Sequence, residues 1–203
     1  MQQKRFVSLL ALIVAVAWLA APAHAQEGSQ PEMTPEMMAE MQAYMAAGTP
    51  GAPHSGLAAS AGTYKLTIKS WQDAAMPPME STGTAERSMI LDGRVRVESV
   101  ESSMMGMSFT GHGMTGYDNV SKKYWSTWAD SMSTGLMVSD GTCDDHGTCS
   151  YTGSWNDPIK KGPVKARMTT RWTSPTTEVF EMYGPGKDGK EMKMMEMTYT
   201  REQ

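Results

Sequence analysis

The segment Val164-Lys165-Ala166-Arg167-Met168-Thr169-Thr170-Arg171-Trp172 decides how this chain folds. Val164, Ala166, Met168 and Trp172 share one parity, whereas Lys165, Arg167 and Arg171 share the other. Successive side chains of a strand leave opposite faces, so this two-residue rhythm predicts a strand with one face buried and one in water. The rhythm recurs from Tyr64 to Trp71, where Leu66 and Ile68 alternate with Lys65, Thr67 and Lys69. Further candidate strands are 81–91, 94–102, 107–117, 122–130, 134–142, 149–155, 176–183 and 191–201. Turn formers separate them: Asp92-Gly93, Asp118-Asn119, Asp140-Gly141, Asp157-Pro158, Gly162-Pro163, Ser174-Pro175 and the cluster from Gly184 to Gly189. About ten strands with no helix among them predict an all-β fold, an antiparallel meander stacked as a sandwich or closed as a barrel. Closure removes unpaired edges, which favours an up-and-down barrel over residues 54–203.

The region before the first strand has another composition. Residues 26–53 hold Pro31, Pro35, Pro50 and Pro53 around a Met/Ala/Glu block. Thr34 suits a helix cap, Pro35 the first turn and Glu36 its positive end, and Gly48 with Pro50 forms a stop. One short helix over 35–47 is expected, with Met37, Met41 and Met45 as a stripe and Met38 and Tyr44 beside it. A helix of that length is marginal alone, so its order is expected to depend on packing against the domain.

Lys4 and Arg5 precede an apolar run from Phe6 to Ala21 broken by Ser8, followed by Pro22 and Ala23-His24-Ala25. This is the three-part plan of a secretory signal peptide, 1–25, with cleavage expected after Ala25. The run falls short of the roughly 20 apolar residues of a bilayer-spanning helix. A periplasmic or secreted protein is expected, and no Cys stands at the junction to carry a lipid. Removing Lys4 and Arg5 from 18 basic residues leaves 16 against 22 acidic ones, a formal charge of −6. Nucleic acid and anionic membrane both require clustered positive charge, so neither is an expected partner. The mature chain keeps 20 of the 21 Met but only four Leu, three Ile and two Phe, with seven Tyr and five Trp. Met adapts to irregular spaces, so an interior built from it should be accommodating.

Cys143 and Cys149 flank a hairpin-like tip that contains Asp144-Asp145-His146-Gly147. In an exported protein a close, even pair most simply forms a disulfide across that hairpin. The spacing matches no usual zinc pattern and is not Cys-x-x-Cys, which argues against metal and redox roles. Gly111-His112-Gly113-Met114-Thr115-Gly116 spells Gly-x-Gly-x-x-Gly, but a dinucleotide loop needs a strand before it and a helix after it. A bent strand or bulge at a barrel corner explains these glycines better.

His54, His112 and His146 are scattered, and no nucleophile elbow is present, so no catalytic residue is nominated. Glu98, Glu181 and Glu196 lie in or near strands, where a solvated outer face is their usual home. Clustered Met invites a Cu(I) reading through Met37, Met38 and Met41, or through Met192, Met194, Met195 and Met197. Met occurs on almost every strand, however, so packing is the better explanation and no metal site is assigned. Tyr117, Tyr124, Trp128, Trp172 and Tyr183 are the candidate ligand-binding residues, because rings pointing into a barrel line a cavity with polar tips. No cofactor is expected.

Local wording also carries a resemblance. The pieces are Ala46-Ala47-Gly48-Thr49-Pro50-Gly51 with His54-x-x-Leu57, Gly62-x-Tyr64 through Trp71, Met79-Glu80-Ser81-Thr82-Gly83-Thr84, and Met104-Met105-Gly106-Met107-x-Phe109. Gly111-x-Gly113-x-x-Gly116-Tyr117-Asp118-Asn119 and Lys123-Tyr124-x-x-Thr127-Trp128 follow. Thr152-Gly153, Asp157-Pro158, Glu181-Met182-Tyr183 and Lys193-x-Met195-Glu196-Met197-x-Tyr199-Thr200-Arg201 complete the series. Over residues 46–201 the chain resembles the domain of unknown function 1579 family. That resemblance implies an antiparallel barrel similar to the lipocalin and fatty-acid-binding group, whose relatives often hold small apolar ligands. The chain departs from the family pattern at Cys143 and Cys149, and at Tyr64, where Trp is frequent. The reading that follows is an exported barrel binding a small apolar ligand. Its rivals are a structural or stress-related interaction protein using the Met-rich helix, and a periplasmic Cu(I) binder.

Overall fold

The computed structural model describes residues 33–203 other than 105 and 159, so the expected signal peptide lies outside the described residues. The alternating segments form ten antiparallel strands: β1 (Gly62–Ser70), β2 (Met79–Ile90), β3 (Val95–Met104), β4 (Met107–Asp118), β5 (Lys123–Asp130), β6 (Met137–Cys143), β7 (Cys149–Asp157), β8 (Gly162–Ser174), β9 (Thr177–Pro185) and β10 (Glu191–Arg201). Each strand pairs with the next, and β1 closes on β10, with Leu66 opposite Tyr199. The result is a closed antiparallel barrel, and every strand expected from alternation is present.

The core occupies one wall. Tyr64, Leu66 and Ile68 of β1 pack with Ala85, Val100, Met197 and Tyr199, and Phe109, Trp128, Phe180 and Met195 lean against them. Eight strands enclose about as much space as side chains can fill. Ten strands enclose more, so the inward side chains do not fill the whole lumen.

The glycines of β4 correct one expectation. β4 keeps an unbroken register with β3 and β5, with no bulge between Gly111 and Gly116. A Cβ at Gly111 or Gly113 would run into the Trp128 indole, and one at Gly116 would strike Trp125. The glycines therefore make room for two large rings on the neighbouring strand. Bulges occur instead in β10 between Lys193 and Met195, and in β8 between Trp172 and Ser174.

Two helices precede the barrel: α1 (Pro35–Gly48), as expected, and α2 (Ala52–Ala59), which sequence reading missed. Thr34 caps α1, its hydroxyl accepting from the Met37 amide at 3.2 Å. The Met stripe does not pack: α1 buries none of its residues, and Met37, Met41 and Met45 are all exposed. What holds α1 is its last turn, whose carbonyls lack helical partners. Asn119 Nδ2 donates to the carbonyls of Ala47 and Thr49 at 3.0 and 2.8 Å, and Arg94 Nε donates to that of Gly48 at 3.0 Å.

Helix α2 packs on β2, β3 and β4. His54, one of the scattered histidines to which the sequence assigns no role, is buried here. Its Nδ1 accepts from the Gly51 amide at 3.0 Å, and its ring meets Tyr117 edge-on. Arg201 donates to the carbonyls of Ala59 and Ala61, fixing the far end of α2 to β10. Among the described residues no helix is long and apolar enough to cross a membrane.

Candidate functional site

Inward positions on the ten strands surround a cavity of about 1130 Å³. Three of the five nominated aromatics, Tyr124, Trp128 and Trp172, line it. Tyr117 stands one ring behind, stacked edge-on against Tyr124 at 4.9 Å and against His54. Tyr183 is on the outer face, under the Arg167 guanidinium at 4.1 Å. This corrects its nomination as a lining residue. Glu178, Phe180 and Met182 take the inward parity of β9, so Val179, Glu181 and Tyr183 turn outward. Both parities of that strand carry apolar side chains, so alternation alone does not choose between them.

The cavity changes character along the barrel axis. At the end covered by α2 the wall is polar: Arg87, Arg96, Glu98, Tyr151, Glu178 and Tyr199. At the other end Met79, Met104, Phe109, Met137, Trp155 and Met182 supply the apolar surface, interspersed with Glu80, Thr82, Ser102, Asp130 and Asn156. Adjacent strands run in opposite directions, which brings the end of β2, the start of β3 and the start of β9 to the same level.

Arg87 organises the polar end. Its Nε donates to Glu98 Oε1 at 2.8 Å, and its Nη1 donates to Glu178 Oε2. The guanidinium lies 4.2 Å from the Tyr199 ring centre and 4.9 Å from that of Tyr64. Burial works against its charge, but the carboxylates of Glu98 and Glu178 outweigh that and hold it well above the ordinary arginine value. Glu98 thus departs from the solvated outer position expected for it. Glu181 and Glu196 do occupy the outer face, where both accept from Lys193.

Arg96 is placed differently. Its Nη1 donates to Ser60 Oγ at 2.8 Å and its Nη2 to Thr115 Oγ1 at 3.4 Å, both neutral acceptors. Its buried Nε has no hydrogen-bond partner, and no carboxylate pairs with it among the described residues. Tyr151 and Tyr199 line the cavity at the same level. Burial pushes Tyr151 up to about 12, and burial followed by the Glu98 charge raises Tyr199 as well. Both phenols therefore stay protonated well above neutral pH.

These shifts make an alkaline prediction. The folded values exceed the unfolded value of 10.0, so the stabilisation is full below pH 10 and is lost as pH rises through about 12. For Tyr151 this is about 2 to 3 kcal/mol. A tyrosinate absorbance titration should show a late-ionising fraction that appears only as circular dichroism reports unfolding. In the Tyr151→Phe, Tyr199→Phe variant that fraction should fall by two rings, with Tyr124, also raised by burial, still contributing; an unchanged fraction would reassign the late rings.

Cys143 and Cys149 are disulfide-bonded at directly opposed positions of β6 and β7, on the cavity wall. Of the other histidines, His112 faces outward beside Ser99, and His146 lies in the β6–β7 turn. Among the described residues no three His, Cys, Asp or Glu side chains gather to hold a metal. Arg87, Glu178 and Arg96 were not singled out from sequence. A charged residue inside a strand normally marks the wet face, and no local signal distinguishes these three.

Comparison with known proteins agrees with this architecture. The chain is similar to the crystal structure of Rv2717c from M. tuberculosis, with a TM-score of 0.58 at 11% identity over 76% of this chain and 100% of that one. It is also similar to the S-type phycobiliprotein lyase CPES from Guillardia theta, with a TM-score of 0.53 at 13% identity over 75% of this chain and 94% of that one. At these identities the likeness concerns the fold alone. No curated protein matches the chain. The model of the family described as protein of unknown function (DUF1579) matches residues 49–201, a span that takes in α2, the whole barrel and the polar cluster at its covered end. With the barrel that its alternation predicts and that match over most of its length, the chain belongs to the DUF1579 family.

Proposed function

We propose that this protein is exported and that its barrel holds a small apolar molecule. The observation that carries this reading is the cavity of about 1130 Å³, walled at one end by Met, Phe and Trp. Pockets for small molecules commonly measure about 300–1,000 Å³ and combine apolar walls with a few placed polar groups, and this one has both features. Thioethers suit such a chamber because they adjust to a ligand's shape. Lys4, Arg5, the apolar run and Ala23-His24-Ala25 support export, and the disulfide accords with an oxidising compartment.

The experiment uses N-phenyl-1-naphthylamine, a neutral apolar fluorophore that brightens when it leaves water. It should bind the mature protein at one site, and Ser126→Trp, which places an indole inside the cavity, should abolish binding while leaving the thermal transition in place. Equal binding by both proteins would locate the site elsewhere. For export, the periplasmic fraction should contain a chain beginning at Gln26; a full-length chain in the cytoplasm would reject it.

A further inference from the structure

We infer that His54 is a proton-operated latch on α2: when its ring takes up a second proton, residues 51–57 loosen and the covered end of the barrel opens.

The chemistry starts at the first turn of α2. Gly51 is the N-cap and has no side chain with which to cap the helix. Its own amide is satisfied from three residues on, where His54 Nδ1 accepts at 3.0 Å. Glu or Gln reaches back from this same position in a capping box. A backbone amide can only donate, so Nδ1 carries no proton and the closed arrangement needs a neutral ring. A second proton turns Nδ1 into a donor facing another donor. It also sets a positive charge at the positive end of a helix, on a residue only 5% exposed.

No anion near the ring offsets that charge. From β4 the group against it is Tyr117, edge-on at 5.8 Å. β3 brings Arg96, bonded to Ser60, and Arg94 stands just ahead of that strand with its Nε on the Gly48 carbonyl. β2 brings Arg87, whose charge Glu98 and Glu178 already take. The turns at this end carry Asp92, 3.9 Å from Arg94, and Asp118, which accepts from the Val120 and Ser121 amides. Among the described residues no carboxylate pairs with His54.

The other ties of α2 do not respond to mild acid. Arg201 donates to the carbonyls of Ala59 and Ala61, the Tyr64 hydroxyl to that of Ser60, and Arg96 to the Ser60 hydroxyl. Upstream, Arg94 and Asn119 hold the carbonyls of Ala47, Gly48 and Thr49. Guanidinium groups, phenols and amides as classes keep their protons between pH 5 and 8, where imidazole changes charge. Within residues 50–58, between these anchors, His54 is the one titratable side chain. Gly56 and Leu57 lie in the same span and line the cavity. Losing the His54 bond therefore frees a segment tethered at both ends, and that segment is the part of α2 that closes the lumen.

The test is hydrogen exchange read by mass spectrometry on the mature protein at pH 7.5 and pH 5.0, with rates corrected for the pH dependence of free amides. Peptides covering 51–57 should lose protection by about tenfold or more at pH 5.0, while the strands keep theirs. His54→Gln keeps an acceptor in the capping-box position and removes the titration, so its protection should be equal at both values. His54→Ala should be unprotected at both. Unchanged protection in the native protein, or a pH dependence that survives His54→Gln, overturns the latch. Should both variants fail to fold, His112→Gln with His146→Gln decides, because His54 is then the last histidine of the mature chain. The midpoint of its ring titration by proton NMR should coincide with the midpoint of exchange, and separate midpoints overturn the inference. N-phenyl-1-naphthylamine should leave the native protein about tenfold faster at pH 5.0, and an unchanged release rate overturns the opening of the lumen. If the fluorophore never binds, the apolar-cavity reading falls while hydrogen exchange still judges the latch.

Discussion

Replacing Arg87 with methionine is expected to lower the unfolding free energy by about 3 to 5 kcal/mol at neutral pH. The side chain of Arg87 is 3% exposed, and those of Glu98 and Glu178 are 12% and 6% exposed. Removing the cation leaves two carboxylates out of water, close together, with their main partner gone. Their lost hydration, more than the lost attraction, sets the size of the effect. Urea unfolding followed by tryptophan fluorescence should show a lower midpoint at an unchanged slope. A second arm separates a strained core from stranded charge: Arg87→Met combined with Glu98→Leu and Glu178→Met should recover most of the loss, since an apolar replacement of the whole cluster can be neutral or stabilising. A loss below about 1 kcal/mol in the single variant would mean that water reaches the cluster freely.

Tyr64→Ala is expected to cost a further 3 to 5 kcal/mol or so, the range for truncating a buried aromatic. Tyr64 has no exposed surface and packs edge-on against Tyr199, with the Arg87 and Arg201 guanidinium groups over its ring. Its hydroxyl donates to the Ser60 carbonyl at 2.7 Å, joining β1 to the end of α2. Tyr64→Phe keeps the ring and drops only that bond, so it should cost about 1 kcal/mol. Thermal unfolding of the two variants side by side checks the split. Equal losses would assign the stabilisation to the hydrogen bond and overturn the packing account.

Both predictions concern the end of the barrel that α2 covers, and the reason is the size of the lumen. Closing ten strands leaves a lumen that the available side chains do not fill. The chain meets this by filling one wall with Tyr64, Leu66, Ile68, Val100, Met197 and Tyr199, and by closing one end with a neutralised ion cluster and α2. The remaining volume is the cavity. Met rather than Leu at its far end leaves a surface that adjusts to what enters.

Strand order, hairpin connections and the Cys143–Cys149 bond were legible in the sequence because each depends on residues near one another in the chain. Alternation fixes which side chains share a face, turn chemistry fixes where the chain reverses, and a short loop brings two thiols together. The glycines of β4 announced a special backbone position, but the reason, the indoles of Trp125 and Trp128, lies on the next strand. Which parity of β9 faces inward was not legible, because Val179 and Tyr183 are as apolar as Phe180 and Met182. Nor was the pairing of Arg87 with Glu178, 91 positions apart, since each alone reads as a wet-face residue. Local periodicity determines that a sheet forms and has two faces. Only closure of β1 on β10 decides which face surrounds the lumen and which distant charges meet inside it, because that depends on the summed registers of all ten strands.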